Sequence, residues 1–133
     1  MKKDDVVFDE NYCIYNVGVQ GQKDLVTLTI LDDLTAADEV LRDDYKERIA
    51  QFVNSSDEWF SIALDAIKKD VGDGDDGIKL MTVYVLFEQN SDRSIFGLLF
   101  NLDSDREHGK GMQLSGESFD ILKYGSADIA FEA

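Results

Sequence analysis

The spacing of apolar residues changes twice along this chain, and the change limits the folds that it can adopt. Residues 6–31 largely alternate apolar with polar side chains, as residues in half-buried β-strands do. Residues 35–71 repeat their apolar side chains every three or four positions, which is typical of helices. Alternation returns from residue 79 onward. This order predicts an α+β fold, with a mostly antiparallel sheet and a two-helix layer on one of its faces.

The N-terminal part of the sheet is predicted to be a hairpin. Residues 12–19 and 25–31 both alternate, and a turn at residues 21–24 that contains Gly and Asp separates them. A further strand is predicted at residues 6–8, which read Val-Val-Phe.

Two helices are predicted over residues 35–53 and 56–71, from the three- and four-residue spacing of their apolar side chains. Thr35 and Asp38 stand in the positions of a capping box at the start of the first helix. Gly72 follows the second helix, where a C′ glycine is common.

The most regular strands are predicted in the C-terminal half, at residues 79–87 and 94–102. Both faces of the first of these strands are apolar, so we expect both faces to be covered. Shorter strands are predicted near residues 112–115 and 119–124. The tail at residues 126–131 is apolar enough to dock onto the rest of the protein.

Length and charge limit the partners that this chain can bind. Its 133 residues predict a single domain over residues 1–133. It carries 28 Asp and Glu against 13 Lys and Arg, and its formal net charge is −15. This charge argues against nucleic acid, whose phosphates are contacted by Lys and Arg, and against anionic membrane surfaces. It suits a basic protein partner.

The sequence also predicts where the protein is found. It contains neither a run of 18 apolar residues nor the apolar region of a signal peptide, so we expect no membrane span and no secretion. One cysteine, Cys13, cannot form an intrachain disulfide and fits a reducing, cytoplasmic environment. Because no base flanks Cys13 in the sequence, we expect a buried packing residue and not a catalytic thiol.

One face of the first predicted helix carries a column of like charge. Glu39, Asp43 and Glu47 are spaced i, i+4 and i+8 and lie opposite the apolar face. Like charges at this spacing repel by about 0.2–0.5 kcal/mol for each pair. The column is either an ordinary solvated face or a surface that is assembled to meet Lys and Arg on a partner.

The second predicted helix carries apolar residues away from its main apolar face. Trp59 and Ile62 lie about 100–160° round the helix from that face, on the geometry of 3.6 residues per turn. Either the helix is sandwiched between the sheet and the first helix, or this second stripe is exposed. If it is exposed, Trp59 and Ile62 are candidate partner-binding residues beside the acidic column.

The polar segment at residues 103–111 contains the only histidine. Carboxylates and an imidazole suit Zn, Mn or Fe, and His108 beside Glu107 or Asp105 could serve as an acid–base pair. The segment lacks the glycine and the glutamate of a calcium loop, and no nucleophile motif accompanies it. We therefore expect a structural turn with no metal, cofactor or catalytic residue, formed by Asp103, Asp105, Glu107, His108, Gly109 and Gly111.

A second acidic cluster is formed by Asp70, Asp73, Asp75 and Asp76. It also fails the calcium-loop pattern, because Tyr84 stands where a bidentate Glu is required. We expect a solvated loop. The sequence contains no phosphate-binding loop, dinucleotide fingerprint, zinc-protease motif or nucleophile elbow, which argues against the common enzyme classes.

The C-terminal half resembles a group of small bacterial domains of unknown function. The resemblance covers residues 80–131 and is carried by three strings: Phe96-Gly97-Leu98-Leu99-Phe100 with Asp103, Glu107-His108-Gly109-Lys110-Gly111, and Asp128-Ile129-Ala130-Phe131. The aromatic residue that usually precedes the second string is missing here. Some members resemble immunity proteins that are encoded beside secreted toxins. The resemblance implies a bacterial, cytoplasmic and non-enzymatic protein.

Two classes of function remain open on this evidence. The first is a non-enzymatic binding module, such as an immunity protein that blocks a cationic toxin through opposite charge. The second is a small enzyme or a ligand- or metal-binding domain centred on His108. A deep pocket that converges on His108 would favour the second class, and a shallow acidic surface would favour the first. The sequence identifies neither the partner nor the oligomeric state.

Overall fold

The protein is built on one six-stranded sheet. The structure is a computed structural model, and it describes residues 1–72, 77–103 and 105–132. For residues 105–107 only the backbone is described. The strands lie side by side in the order of the chain. They are β1 (Cys13–Val17), β2 (Val26–Ile30), β3 (Lys79–Val85), β4 (Ile95–Leu102), β5 (Asp105–Ser115) and β6 (Ile121–Ser126).

The connection between β2 and β3 contains both helices, α1 (Asp43–Asn54) and α2 (Ser56–Val71). These two strands are parallel neighbours, and every other neighbouring pair is antiparallel. Parallel neighbours need a long crossover, which the helix pair supplies. The predicted α+β fold, with a mostly antiparallel sheet and two helices, is confirmed.

The core lies between the helices and one face of the sheet. The ring of Phe52 in α1 stacks on Trp59 of α2 and on Phe96 of β4, with centroid distances of 4.7 and 3.9 Å. Phe60 of α2 meets Phe100 of β4 edge to face at 6.2 Å. Aromatic pairs of this kind add about 0.5–1.5 kcal/mol beyond the area they bury. The second helix is therefore packed against both α1 and the sheet at Trp59 and Phe60, whereas Ile62, on the same stripe as Trp59, is exposed.

The opposite face of the sheet is covered in part by the C-terminal tail. Residues Ala127–Phe131 form a 3₁₀-helix, and Ala130 within it is buried. A Cβ atom on Gly97 would collide with the carbonyl oxygen of Ala130, and one on Gly111 would lie 2.7 Å from the carbonyl oxygen of Ala127. These glycines let the tail approach the sheet closely. The prediction that the tail docks is confirmed.

Two predictions about the N-terminal half are wrong. Residues 6–8 form no strand; they follow a 3₁₀-helix at Lys3–Asp5, and Val6 is buried in the core. The helix predicted at residues 35–53 is interrupted. Residues Thr35–Asp38 form a separate 3₁₀-helix, Glu39 has an extended backbone, and α1 begins only at Asp43.

Candidate protein-binding surface

Two side chains that follow β3 hold residues 35–42, which we call segment 35–42, in their non-helical shape. The carboxylate of Glu88 accepts hydrogen bonds from the backbone N–H groups of Thr35 and Ala36, both at 2.9 Å. The first N–H groups of a helical turn need such acceptors, and a carboxylate suits them. The predicted cap by Thr35 is wrong: the N-cap residue is Leu34, and it makes no side-chain cap.

Gln89 fixes the second half of segment 35–42. Its Oε1 accepts from the backbone N–H of Arg42 at 2.8 Å, and its Nε2 donates to Oε2 of Glu39 at 2.8 Å and to the carbonyl of Val40 at 3.2 Å. Gln89 is itself buried. These hydrogen bonds replace the ones that a continuous helix would make, so the helix cannot continue through residues 39–42.

The result is an apolar side chain presented to solvent among acids. Val40 is 93% exposed, and Glu39 beside it is exposed as well. Glu88 and Gln89 already order segment 35–42. Val40 is therefore held in its exposed position, and the segment would lose little conformational entropy when a partner binds. A single exposed apolar residue is normal on a protein surface, so the significance of Val40 depends on the apolar surface next to it.

Val40 borders an apolar groove, which we call the groove, of about 250 Å³. Most of its lining comes from two segments, which we call its walls: residues 7–9, where Val7 is 68% exposed, and residues 37 and 39–41. Val6, Ile30 and Ala36, all buried, form its floor. The remaining lining residues are Phe8, Asp9, Tyr12, Ala37, Glu39, Leu41 and Lys46.

Carboxylates surround the groove. Asp38 accepts a hydrogen bond from the Tyr12 hydroxyl at 3.0 Å, and this bond raises the pKa of Tyr12. The nearby charge of Asp32 raises it further. Asp9 accepts from the backbone N–H groups of Asn11 and Cys13 at 2.9 and 3.0 Å. The field at this site is therefore negative, and it favours a cationic partner.

The acidic column predicted on one helix is not formed. Asp43 and Glu47 lie in α1, but Glu39 precedes the helix and has an extended backbone, so the three residues do not share a helical face. Asp43 also pairs with Lys3 at 3.2 Å, and this contact raises the pKa of Lys3. The role of Glu39, Asp43 and Glu47 in binding a partner stays a prediction. It now concerns a surface that several segments form together.

The two apolar candidates on α2 differ in exposure. Trp59 is 0% exposed, and its Nε1 donates to the carbonyl of Phe52 at 2.7 Å. It is a core residue, so its assignment to a partner-binding surface is wrong for the folded protein. Ile62 is 39% exposed, and its role in binding stays a prediction.

The predicted turn at residues 103–111 is mostly a strand. Asp103 precedes β5, whereas Asp105, Glu107, His108, Gly109 and Gly111 all lie within it. Gly109 has a φ of 68°, and a Cβ atom there would collide with the carbonyl of Phe100. The pairing of β4 with β5 shifts register at this point, so the glycine forms a bulge that lets the strand continue.

His108 is exposed and borders a surface depression of about 470 Å³. The described lining residues beside it are apolar or neutral, and they include Met81, Thr82, Leu99 and Phe131. Among the side chains that the structure describes, which do not include those of residues 73–76 and 104–107, no group of three or more His, Cys, Asp and Glu is arranged to hold a metal ion.

Two other candidates occupy ordinary structural positions. Cys13 is half-buried, and its Sγ lies 3.3 Å from the carbonyl of Asn11 and 3.4 Å from Oγ1 of Thr29. Asp70 accepts hydrogen bonds from the Tyr124 hydroxyl at 2.7 Å and pairs with Lys110 at 3.1 Å, and these contacts lower its pKa. The rest of the second acidic cluster, residues 73–76, lies outside the described residues.

Sequence reasoning missed the residues that build the groove. The sequence pattern predicts a strand at Val7 and a helix at Val40, and it predicts no role for Glu88 and Gln89, which follow the predicted strand at residues 79–87. The available signal was Val40, an apolar residue off the apolar face of the predicted helix. The hydrogen bonds that Gln89 donates to Glu39 and Val40 span 50 and 49 residues of sequence, and no local pattern indicates them.

The comparisons with known proteins give this chain no relative. No family model, no curated protein and no solved structure matches it. Among the residues that the structure describes, no helix is long and apolar enough to cross a membrane.

Proposed function

We propose that this protein is a non-enzymatic binding module whose partner is a basic protein. The observation that carries the proposal is the rigid presentation of Glu39 and Val40 at a groove that Asp9 also lines. Asp38 lies next to the groove, bonded to the lining residue Tyr12. A surface that is already ordered loses little entropy when it binds, and its carboxylates attract Lys and Arg on the partner.

The placement of the basic residues supports the same proposal. Arg48 in α1 directs its guanidinium inward, donating to the carbonyls of Ser91 and Gln89 at 2.9 and 3.0 Å and lying 4.8 Å over the ring of Phe87. Arg42 donates to the carbonyl of Gln89 at 2.7 Å. Arg42 also pairs with the exposed carboxylate of Asp44 at 3.5 Å. Because the Arg48 guanidinium is directed to the turn after β3, this cation neutralises fewer of the surface carboxylates.

The more specific form of the proposal is an immunity protein of the bacterial cytoplasm that neutralises a cationic toxin. It is supported by the net charge of −15 and by the resemblance of residues 80–131 to immunity-like domains. An inhibitor of a toxin must associate quickly, and opposite charge raises association rates. The alternative, a small enzyme or a ligand- or metal-binding domain centred on His108, is supported by the depression of about 470 Å³ beside that residue, but none of the described residues that line it is a carboxylate.

The experiment is affinity capture from a lysate of the source cells, followed by co-expression. We expect the captured partner to be basic and to bind in a one-to-one complex that high salt weakens. If it is a toxin, expression of the partner alone should stop growth, and co-expression of this protein should restore it. A complex that salt does not weaken would contradict the basic-partner proposal. Growth that is unaffected by the partner would contradict only the immunity form.

A further inference from the structure

The groove has the features of a site for one apolar side chain. Its floor is buried and apolar, while Val7 and Val40 on its two walls are 68% and 93% exposed. An apolar group placed between these walls would remove both valines from water, and burial of apolar area is the main source of binding free energy.

The size of the groove favours a side chain over a metabolite. Small-molecule sites usually have volumes of roughly 300–1,000 Å³. The groove, at about 250 Å³, is smaller than that range. A single large aliphatic or aromatic residue that projects from a protein partner is an occupant of suitable size.

The charge around the groove indicates which residues should flank the apolar side chain in the partner's sequence. The lining includes Asp9 and Glu39 with one cation, Lys46, and Asp38 is bonded to the lining residue Tyr12. Carboxylates on both walls would pair with Lys or Arg placed before and after the apolar residue. An acidic or uncharged segment would be repelled or left without partners.

Both walls are held before any partner binds. Gln89 fixes the wall at residues 37 and 39–41 through its bonds to Glu39 and to the backbone. Asp9 fixes the other wall by accepting from Asn11 and Cys13, and its own N–H donates to the carbonyl of Cys13 at 3.1 Å. The groove therefore needs little rearrangement to accept a side chain.

We propose that the groove binds one aliphatic or aromatic side chain of a basic protein segment, with Lys or Arg on both sides of it. This inference rests on the proposed function, because it takes the partner to be a basic protein. It adds the chemistry of the contact: the apolar residue anchors the complex between Val7 and Val40, and the flanking cations meet Asp9, Asp38 and Glu39.

The test is an NMR titration of the ¹⁵N-labelled protein with two synthetic peptides. The first has the sequence Lys-Lys-Arg-Leu-Arg-Lys-Lys, and the second carries Ser in place of Leu. Burial of the leucine should make the first peptide bind about tenfold more tightly. Its largest chemical-shift changes should fall on residues 6–9 and 36–41.

Variants separate the groove from general charge attraction. Val7→Ser and Val40→Ser should each weaken the leucine peptide about threefold or more and leave the serine peptide unchanged. Leu25→Ser is the matched control, because Leu25 is 54% exposed and lies outside the groove. Folding is checked from the rest of the spectrum, and both valines are exposed enough for substitution to leave the core intact.

The outcomes distinguish the two proposals. Equal, salt-sensitive binding of both peptides would overturn the groove proposal and leave the basic-partner proposal standing. Tighter binding of the leucine peptide with shifts on another surface, such as the depression beside His108, would also overturn the groove proposal. If neither peptide binds at low salt, both proposals are contradicted.

Discussion

At the scale of single residues, buried and charged acceptors shape the loops of this protein. Glu117, in the turn between β5 and β6, accepts from the backbone N–H of Ser94 at 2.8 Å and from the Ser115 hydroxyl at 3.2 Å. Burial alone would raise the pKa of Glu117, but these hydrogen bonds outweigh it and the net effect lowers the pKa. Glu117 therefore links two turns as long as its carboxylate is ionised.

We expect Glu117→Gln to lower the free energy of unfolding at neutral pH by about 1 kcal/mol, since solvent screens this exposed carboxylate. Because the folded pKa is below the unfolded value of about 4.3, the contribution is present above that pH and is lost as the pH falls through the folded pKa. Denaturant unfolding from pH 7 to pH 3 measures it. A difference between the two proteins that grows toward acid pH would contradict this account.

At the scale of elements, segment 35–42 shows where a sequence pattern and the fold disagree. The spacing of Leu34, Ala37, Leu41 and Tyr45 fits a helix; Tyr45 is buried in the core, and the other three are partly buried against it. The backbone between them nevertheless bonds to Glu88 and Gln89. Periodicity indicates which residues face the core, but it cannot indicate a hydrogen-bond acceptor that lies far away in the sequence, here in the turn after β3.

The strands are easier to predict than segment 35–42, because their pattern depends on local sequence and not on distant hydrogen bonds. Val26, Leu28 and Ile30 alternate with threonines, and all three are buried on the helix-facing side of the sheet. Such alternation is local and follows from the pleat. The bulge at Gly109 and the approach of the tail to Gly97 depend on contacts between strands, so the sequence indicated glycines of structural importance without indicating their partners.

We expect Gln89→Ala to release segment 35–42 and leave the sheet folded. The N–H of Arg42 loses its acceptor, so its hydrogen exchange should accelerate at least about tenfold, whereas amides in β3 and β4 should be unchanged. Native-state hydrogen exchange measures this. The matched control is Asn90→Ala, at the exposed neighbouring position. Equal exchange at Arg42 in both variants would show that Gln89 does not hold the segment.

The docked tail gives a second prediction at this scale. In Gly97→Ala the added methyl group would collide with the carbonyl of Ala130, so the tail must shift, and we expect a loss of about 1–3 kcal/mol in unfolding free energy. Gly18→Ala is the control, because a Cβ atom there would lie 3.9 Å from Leu25, an ordinary contact. Chemical denaturation compares the two. Equal stability would mean that the tail is not packed against β4.

At the scale of the whole molecule, the net charge of −15 acts through the carboxylates that are free of structural contacts. Glu39 and Asp43 bond to Gln89 and Lys3, so reversing their charge would also disturb the fold. Asp4, Asp32 and Glu47 are exposed, and within the part of the chain that the structure describes they make no ion pair and no side-chain hydrogen bond. They are the better positions for a test of steering.

The association rate constant with the captured basic partner tests the central claim most directly. Substitution of Asp4, Asp32 and Glu47 by Lys adds two charges at each position, so the net charge changes from −15 to −9. The control reverses Asp57, Glu58 and Asp65 of α2, outside the groove, and reaches the same net charge.

We predict that the wild-type association rate falls as ionic strength rises toward 0.15 M, where the screening length is about 8 Å. The first triple variant should associate at least about tenfold more slowly than wild type, and the α2 control should be slowed much less. If the rate is insensitive to salt and the two triple variants associate equally fast, the acidic surface beside the groove is not where the partner binds.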